Sequence, residues 1–272
     1  MRDLARAAVD DLRARCPPWA SNVILAGLRG SDAHGTKLPE GHPRATDDVD
    51  AWGICVQPIS WYVGLEGYRS LVRQHWAPEI SPEGFDHLVY DVRKFFFLLR
   101  KGNPNVHQWL WCDDEDRMLV SSAARPLVEN RAKFLSVRVL NALGGYATAQ
   151  LAKMEPTEGG RQAYQGYMGD KRKTLVDEIG YDVKNAAHCV RLLSMGIELA
   201  VTGKLVVHRR FSERVRLMDI KAGEWNYPDL RELVTDLDAD FRDAKGKTEL
   251  PAEPDLDLIR DMAVTVICDA QA

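Results

Sequence analysis

An α/β fold in the first part of the chain and an all-helical second part follow from three features of the sequence. Val23 to Leu28 is a short apolar run of the kind that makes a buried strand, and it ends in Arg29-Gly30-Ser31. A polar, Gly/Pro-rich loop then leads to a second strand, which enters as Asp47-Asp48-Val49-Asp50. From Ala124 onward the apolar spacing turns helical. The boundary is expected near 115–130, which gives a first domain of residues 1–122 and a helical domain of residues 123–272.

In chain order, residues 3–15 read as an amphipathic helix through Leu4, Ala7, Ala8, Val9 and Leu12, stopped by Pro17-Pro18. The strand and turn of residues 23–31 follow. The loop from Gly35 to Thr46 holds Pro39, Gly41 and Pro43 and is expected to be exposed and mobile. The second strand continues through Ile54 and Val56. Residues 59–67 read as a turn or short helix, Leu71 to Trp76 as a further strand, and Phe85 to Tyr90 as a third main strand. Val92 to Lys101 is a strongly apolar helix that ends at Gly102. Asn103-Pro104-Asn105 opens another, with Trp109, Leu110 and Trp111 as core, and Asp113 to Asp116 reads as a solvated acidic turn. Helices are expected over 134–153 (with a bend at Gly144-Gly145), 162–179, 182–202, 211–220, 228–243 and 254–269. Asp182 is the N-cap of the third of these and Gly203 its stop.

Composition narrows the class. The 272 residues suffice for a sizeable core, and 45% hydrophobic with 28% charged residues is an ordinary globular balance. A net charge of −4 argues against a general nucleic-acid coat. Charge is uneven, however, with 11 Lys/Arg against 6 Asp/Glu from Arg161 to Arg216. Five scattered cysteines without a CxxC pair read as reduced thiols of a cytoplasmic protein, and no stretch has the pattern of a signal peptide or membrane span.

The chemistry concentrates around the first two strands. Side chains alternate along a strand, so Asp48 and Asp50 project from one face. Adjacent carboxylates repel, and burying them costs several kcal/mol each unless a cation neutralises them; a divalent metal such as Mg2+, with its preference for hard oxygen ligands, is the simplest solution. Gly30 lets backbone approach a ligand closely, and Ser31 with the N–H groups after it offers donors to phosphate. A phosphate cradle facing a metal-binding carboxylate pair is the outline of a phosphoryl- or nucleotidyl-transfer site.

These residues resemble the DNA polymerase β superfamily of nucleotidyltransferases. Gly30-Ser31-Asp32-Ala33-His34-Gly35-Thr36, Asp48-Val49-Asp50-Ala51-Trp52-Gly53 and Tyr62-Val63-Gly64-Leu65 are similar to the nucleotidyltransferases linked to RNA repair. So are Tyr90-Asp91-Val92-Arg93-Lys94-Phe95, Lys101-Gly102-Asn103-Pro104-Asn105 and Gly180-Tyr181-Asp182-Val183-Lys184. The ordered set spans most of residues 20–230. Sixteen residues lie between Ser31 and Asp48, more than that family usually carries, and Gln108 stands where relatives often have Glu.

The resemblance implies a mixed sheet with flanking helices and transfer of a nucleoside monophosphate from a triphosphate to an acceptor hydroxyl or phosphate. It suggests RNA ends as acceptor. A small molecule or protein hydroxyl is the alternative acceptor, and an inactive nucleotide- or RNA-binding module the alternative role. Asp48 and Asp50 would ligate two Mg2+ ions, for which Mn2+ can substitute. Asp86, from the third main strand, would complete the set and assist proton removal, as family members draw this acid from that strand; Asp91 competes for the role but suits a helix cap. Gly30 and Ser31 would hold the β- and γ-phosphates, and Lys184, with Lys173 and Arg191, would neutralise them. Arg29 pairs with Asp48 or reaches a phosphate. Trp52 packs or stacks on a base, with packing favoured. Lys204 to Arg216, including His208, Arg209 and Arg210, is a solvated surface or a track for a polynucleotide backbone.

Overall fold

A computed structural model describes residues 2–39, 41–45, 48–63, 75–154 and 170–272. The expected features at Gly64, Leu65, 71–74 and 162–169 lie outside these residues. A five-stranded mixed sheet forms the centre of the first part. Its strands are β1 (Val23–Leu28), β2 (Val49–Cys55), β3 (His75–Trp76), β4 (Phe85–Asp91) and β5 (Arg117–Val120), in the spatial order β3-β4-β2-β1-β5. β2 and β4 run parallel, while the β1–β2, β1–β5 and β3–β4 pairs are antiparallel. This is the mixed sheet with flanking helices that the sequence predicts.

Helix α1 (Arg2–Arg15) covers one face of the sheet with Ala5, Ala8, Val9 and Leu12 buried. On that face His87 of β4 is fully buried and meets Asp11 of α1 at 2.6 Å. After α2 (Gly30–His34) and α3 (Ser60–Val63) come α4 (Val92–Arg100) and α5 (Pro104–Trp111). Trp109 of α5 stacks on Trp52 of β2 with centroids 4.9 Å apart and planes 5° apart. Trp52 is fully buried and its Nε1 donates to the Leu28 carbonyl at 2.8 Å, so its ring is packing. Trp111 is only half-buried, and Arg131 lies over its ring.

β5 was not foreseen. Four residues are too few to show an alternating pattern, and the strand exists because β1 lies alongside it. Gly27 makes that approach possible, since a Cβ there would sit 2.3 Å from the Asp116 carbonyl oxygen. The Leu28 N–H donates to the same carbonyl at 2.9 Å.

The remaining helices are α6 (Arg125–Glu129), α7 (Val137–Met154), α8 (Asp170–Ile179), α9 (Val183–Thr202), α10 (Phe211–Ala222), α11 (Tyr227–Gly246) and α12 (Leu256–Asp269). α7 is one helix through Gly144-Gly145. α9 is capped by Asp182, whose carboxylate accepts from the Lys184 and Asn185 N–H groups, and stops at Gly203 in the left-handed conformation.

The chain forms two compact units that do not follow chain order. One gathers residues 1–35, 47–138 and 251–272, and the other residues 36–46 and 139–250. The division expected after residue 122 therefore falls inside the first unit, and α12 packs on α4 of that unit. The Asn22 side chain donates to the Ala270 carbonyl, and Gln271 bonds the backbone at Gln57 and Ile59. All five cysteines are free thiols, and burial pushes Cys16, Cys112 and Cys189 up to about 12. Among the described residues no helix is long and apolar enough to cross a membrane.

Candidate active site

The strand–turn–helix from Val23 to His34 positions the first part of the site. β1 is buried along its whole length and delivers Arg29 at its end. Arg29 is extended, and Gly30 then turns the chain into α2 with a φ of +67°. Two constraints meet at Gly30. L-residues disfavour the left-handed region, and a Cβ would lie 2.1 Å from Asp50 Oδ2. The turn thus lies directly against the Asp50 carboxylate, as a Gly-Ser cradle facing an acid requires.

β2 and β4 supply the acids. Their parallel register sets Asp50 opposite Asp86, and Ala51 opposite His87. Asp86 alternates with the buried Phe85 and His87, so it projects from the face opposite α1. Asp48 stands one residue before β2 begins and is half-buried. Arg29 joins the pair: its Nη2 lies 3.0 Å from Asp50 Oδ1 and 2.7 Å from Asp86 Oδ2. Arg29 therefore engages carboxylates, those of Asp50 and Asp86. Asp91 has a different task. It is fully buried, caps α4 through the Arg93 N–H, and accepts from Gln57 and Tyr62.

Do these residues fit a divalent cation? Among the described residues no three His, Cys, Asp or Glu side chains are gathered into one metal cage. A magnesium ion does not require one, because it is commonly held by one or two carboxylates with water and substrate phosphate completing its shell. Two hard-oxygen donors converging on one positive charge, here the Arg29 guanidinium, make a donor set of that type. The pair fits.

Behind the turn, His34 Nε2 donates to Gln108 Oε1 at 2.8 Å, with both side chains buried. A glutamine here accepts from the imidazole without adding a third buried negative charge. Asp116 lies close enough to Asp32 for their charges to interact. Burial first, then Asp113, Glu115 and Asp32, pushes its carboxyl up to about 6. The acidic run is therefore not simply a solvated turn, since Asp116, one residue before β5, is buried.

Lys173, Lys184 and Arg191 belong to the second unit. Lys184 is exposed on the first turn of α9, whereas Arg191 is buried two turns later and its Nη1 donates to Met195 Sδ at 3.0 Å. Burial lowers the Arg191 guanidinium to about 9. Between them His188 is held well below its ordinary pKa by burial and by the cations Arg191, Lys184, Lys221 and Lys153. Lys153 and Lys221 come from α7 and α10. They carry no local motif and become visible only when the helices pack. Lys221 also donates to the Thr36 carbonyl and hydroxyl at 2.7 and 3.1 Å. In the 204–216 stretch, Arg209 is buried between Glu198 and Glu213, at 2.7 and 2.5 Å. It is a structural ion pair, while Arg210 remains exposed.

A family model described as RlaP, RNA repair pathway DNA polymerase beta family, matches residues 1–260. No curated protein matches the chain.

Proposed function

We propose, because the chain belongs to the RNA repair pathway DNA polymerase beta family, that it is a nucleotidyltransferase whose reaction centre is the Asp50–Asp86 pair beside the Gly30-Ser31 turn. Membership supports the general role. The observation that carries the reading to particular residues is the register of two acids from parallel neighbouring strands against a glycine that abuts one of them.

In the proposed reaction an acceptor oxygen attacks the α-phosphorus of a nucleoside triphosphate. The new O–P bond forms as the bond to the β-phosphate oxygen breaks, and pyrophosphate leaves. For a hydroxyl acceptor, the proton is lost toward the Asp86 carboxylate. Asp50 and Asp86 would hold the magnesium, with Asp48 as the further acid that the resemblance assigns, and the metal would neutralise the phosphates and acidify the attacking hydroxyl. Ser31, by its hydroxyl and the N–H groups that follow, would orient the β- and γ-phosphates. The acceptor we favour is an RNA end, on the strength of the family's described pathway.

The test is incubation of the full chain with each α-phosphate-labelled triphosphate, Mg2+, and RNAs with defined 5′ and 3′ ends, beside small-molecule and protein acceptors. Label should pass to RNA with release of unlabelled pyrophosphate, and Asp50→Asn should stop it. Label passing only to a small molecule or protein would retain the chemistry and reject the RNA acceptor. Triphosphate bound without transfer to any acceptor would reject the enzyme reading.

A further inference from the structure

We infer that Arg29 is a built-in counter-ion of the acidic pair, so that a divalent cation loads these carboxylates only by displacing its guanidinium. This rests on the reading of Asp50 and Asp86 as metal ligands, and it assigns a role to a neighbouring residue that the transfer chemistry does not use.

The stem of Arg29 is fixed where β1 ends. Its backbone N–H donates to the Asp50 carbonyl at 2.8 Å, and its Nε donates to the Ala51 carbonyl at 3.3 Å. From that anchorage a single nitrogen, Nη2, touches one oxygen of each acid. Any cation that engages both strands has to come to the same place. A guanidinium cannot withdraw by losing its proton, because it stays charged at every working pH. A divalent ion arriving between the carboxylates therefore meets a fixed positive charge a few ångströms away. It must either bind with that repulsion or move the guanidinium aside. Movement is open to it: the side chains of Arg29, Asp50 and Asp86 are 26%, 22% and 34% exposed, so the guanidinium borders solvent.

The arrangement also explains how two acids can face each other across paired strands before any ligand arrives. Like charges at this separation repel, and a shared arginine offsets that repulsion. The consequence is a competition. Arg29 stabilises the folded, metal-free chain and weakens its hold on metal, and once displaced its planar fork matches an anionic phosphate.

The experiment is direct titration of Mn2+ into the full chain, read by the paramagnetic signal of free Mn2+ and by melting temperature, with no nucleotide present. Arg29→Gln should bind Mn2+ at least about tenfold tighter than the natural chain, and Mn2+ should raise its melting temperature by more. Arg29→Met, which keeps the apolar stem, is read in parallel in case the glutamine variant folds poorly; Arg29→Lys should stay near the natural chain. Equal or weaker Mn2+ binding in both neutral variants, with binding still lost in Asp50→Asn, overturns the counter-ion role and leaves the acidic pair as a metal site. Mn2+ binding that survives in both Asp50→Asn and Asp86→Asn overturns the metal reading and this inference together.

Discussion

Gly30 and Asp50 are the two residues whose mutual fit most constrains the site. Gly30→Ala would place a methyl against Asp50 Oδ2 and force an L-residue to φ +67°. Calorimetry should show a loss of more than about 1 kcal/mol, and transfer should slow by about a hundredfold, the effect of displacing a reacting group by roughly 1 Å. Asp50→Asn and Asp86→Asn remove a charge rather than a shape. Each should cut the rate of label transfer by at least about a hundredfold while leaving the far-UV spectrum unchanged. Asp116 gives a pH signature. Its carboxyl is raised from 3.8 to about 6, so below pH 4 it is protonated in both folded and unfolded chains. Between pH 4 and 6 only the folded chain keeps the proton, and above pH 6 a buried group must ionise. Its contribution to stability therefore falls as pH rises from about 4 to 6 and stays low. Asp116→Asn should be more stable than the natural chain at pH 7.5 by on the order of 1 kcal/mol, discounted for the solvent that reaches this loop, and equal to it near pH 4. Denaturant titration at the two pH values checks this.

Most elements were legible because their signals are local. β1 begins and ends at the predicted residues, since its apolar run is continuous and closes at the Arg29-Gly30-Ser31 turn. α9 is framed by Asp182 and Gly203, a cap and a stop that act within one turn. The facing of Asp50 and Asp86 was legible for a similar reason, because each lies on a strand whose alternation fixes the direction of its side chain. What stayed hidden depends on partners far along the chain. β5 needs β1, and the basic surroundings of His188 need α7, α9 and α10 together. The 204–216 stretch reads from sequence as a solvated surface or a polynucleotide track, yet Arg209 closes an ion-pair network just before α10. Arg209→Ala should leave Glu198 and Glu213 without their shared cation, costing about 3–5 kcal/mol. Hydrogen exchange should then show the amides of α9 and α10 losing protection.

At the scale of the whole molecule, the unit that carries the acids is completed by the far end of the chain. Pro251 accepts from the Val137 N–H at 2.8 Å, Arg138 pairs with Glu253, and Ala270 and Gln271, just after α12, reach Asn22 and Gln57. No local pattern announces this return, which is why the sequence suggested two consecutive domains. Removing residues 251–272 should lower the protection of the β1, β2 and β4 amides, and it should do so more than it lowers that of α9 and α11. If RNA is the acceptor, retention on RNA should weaken steeply with added salt, since phosphate contacts release counter-ions. The central claim is that Asp50 and Asp86, facing each other beside Gly30, carry out nucleotidyl transfer. Its most direct test is pyrophosphate release measured against label gained by RNA, for the natural chain and a folded Asp50→Asn/Asp86→Asn double variant. One pyrophosphate per nucleotide transferred in the natural chain and background release in the variant is the predicted result; release at the natural rate by the variant would contradict it.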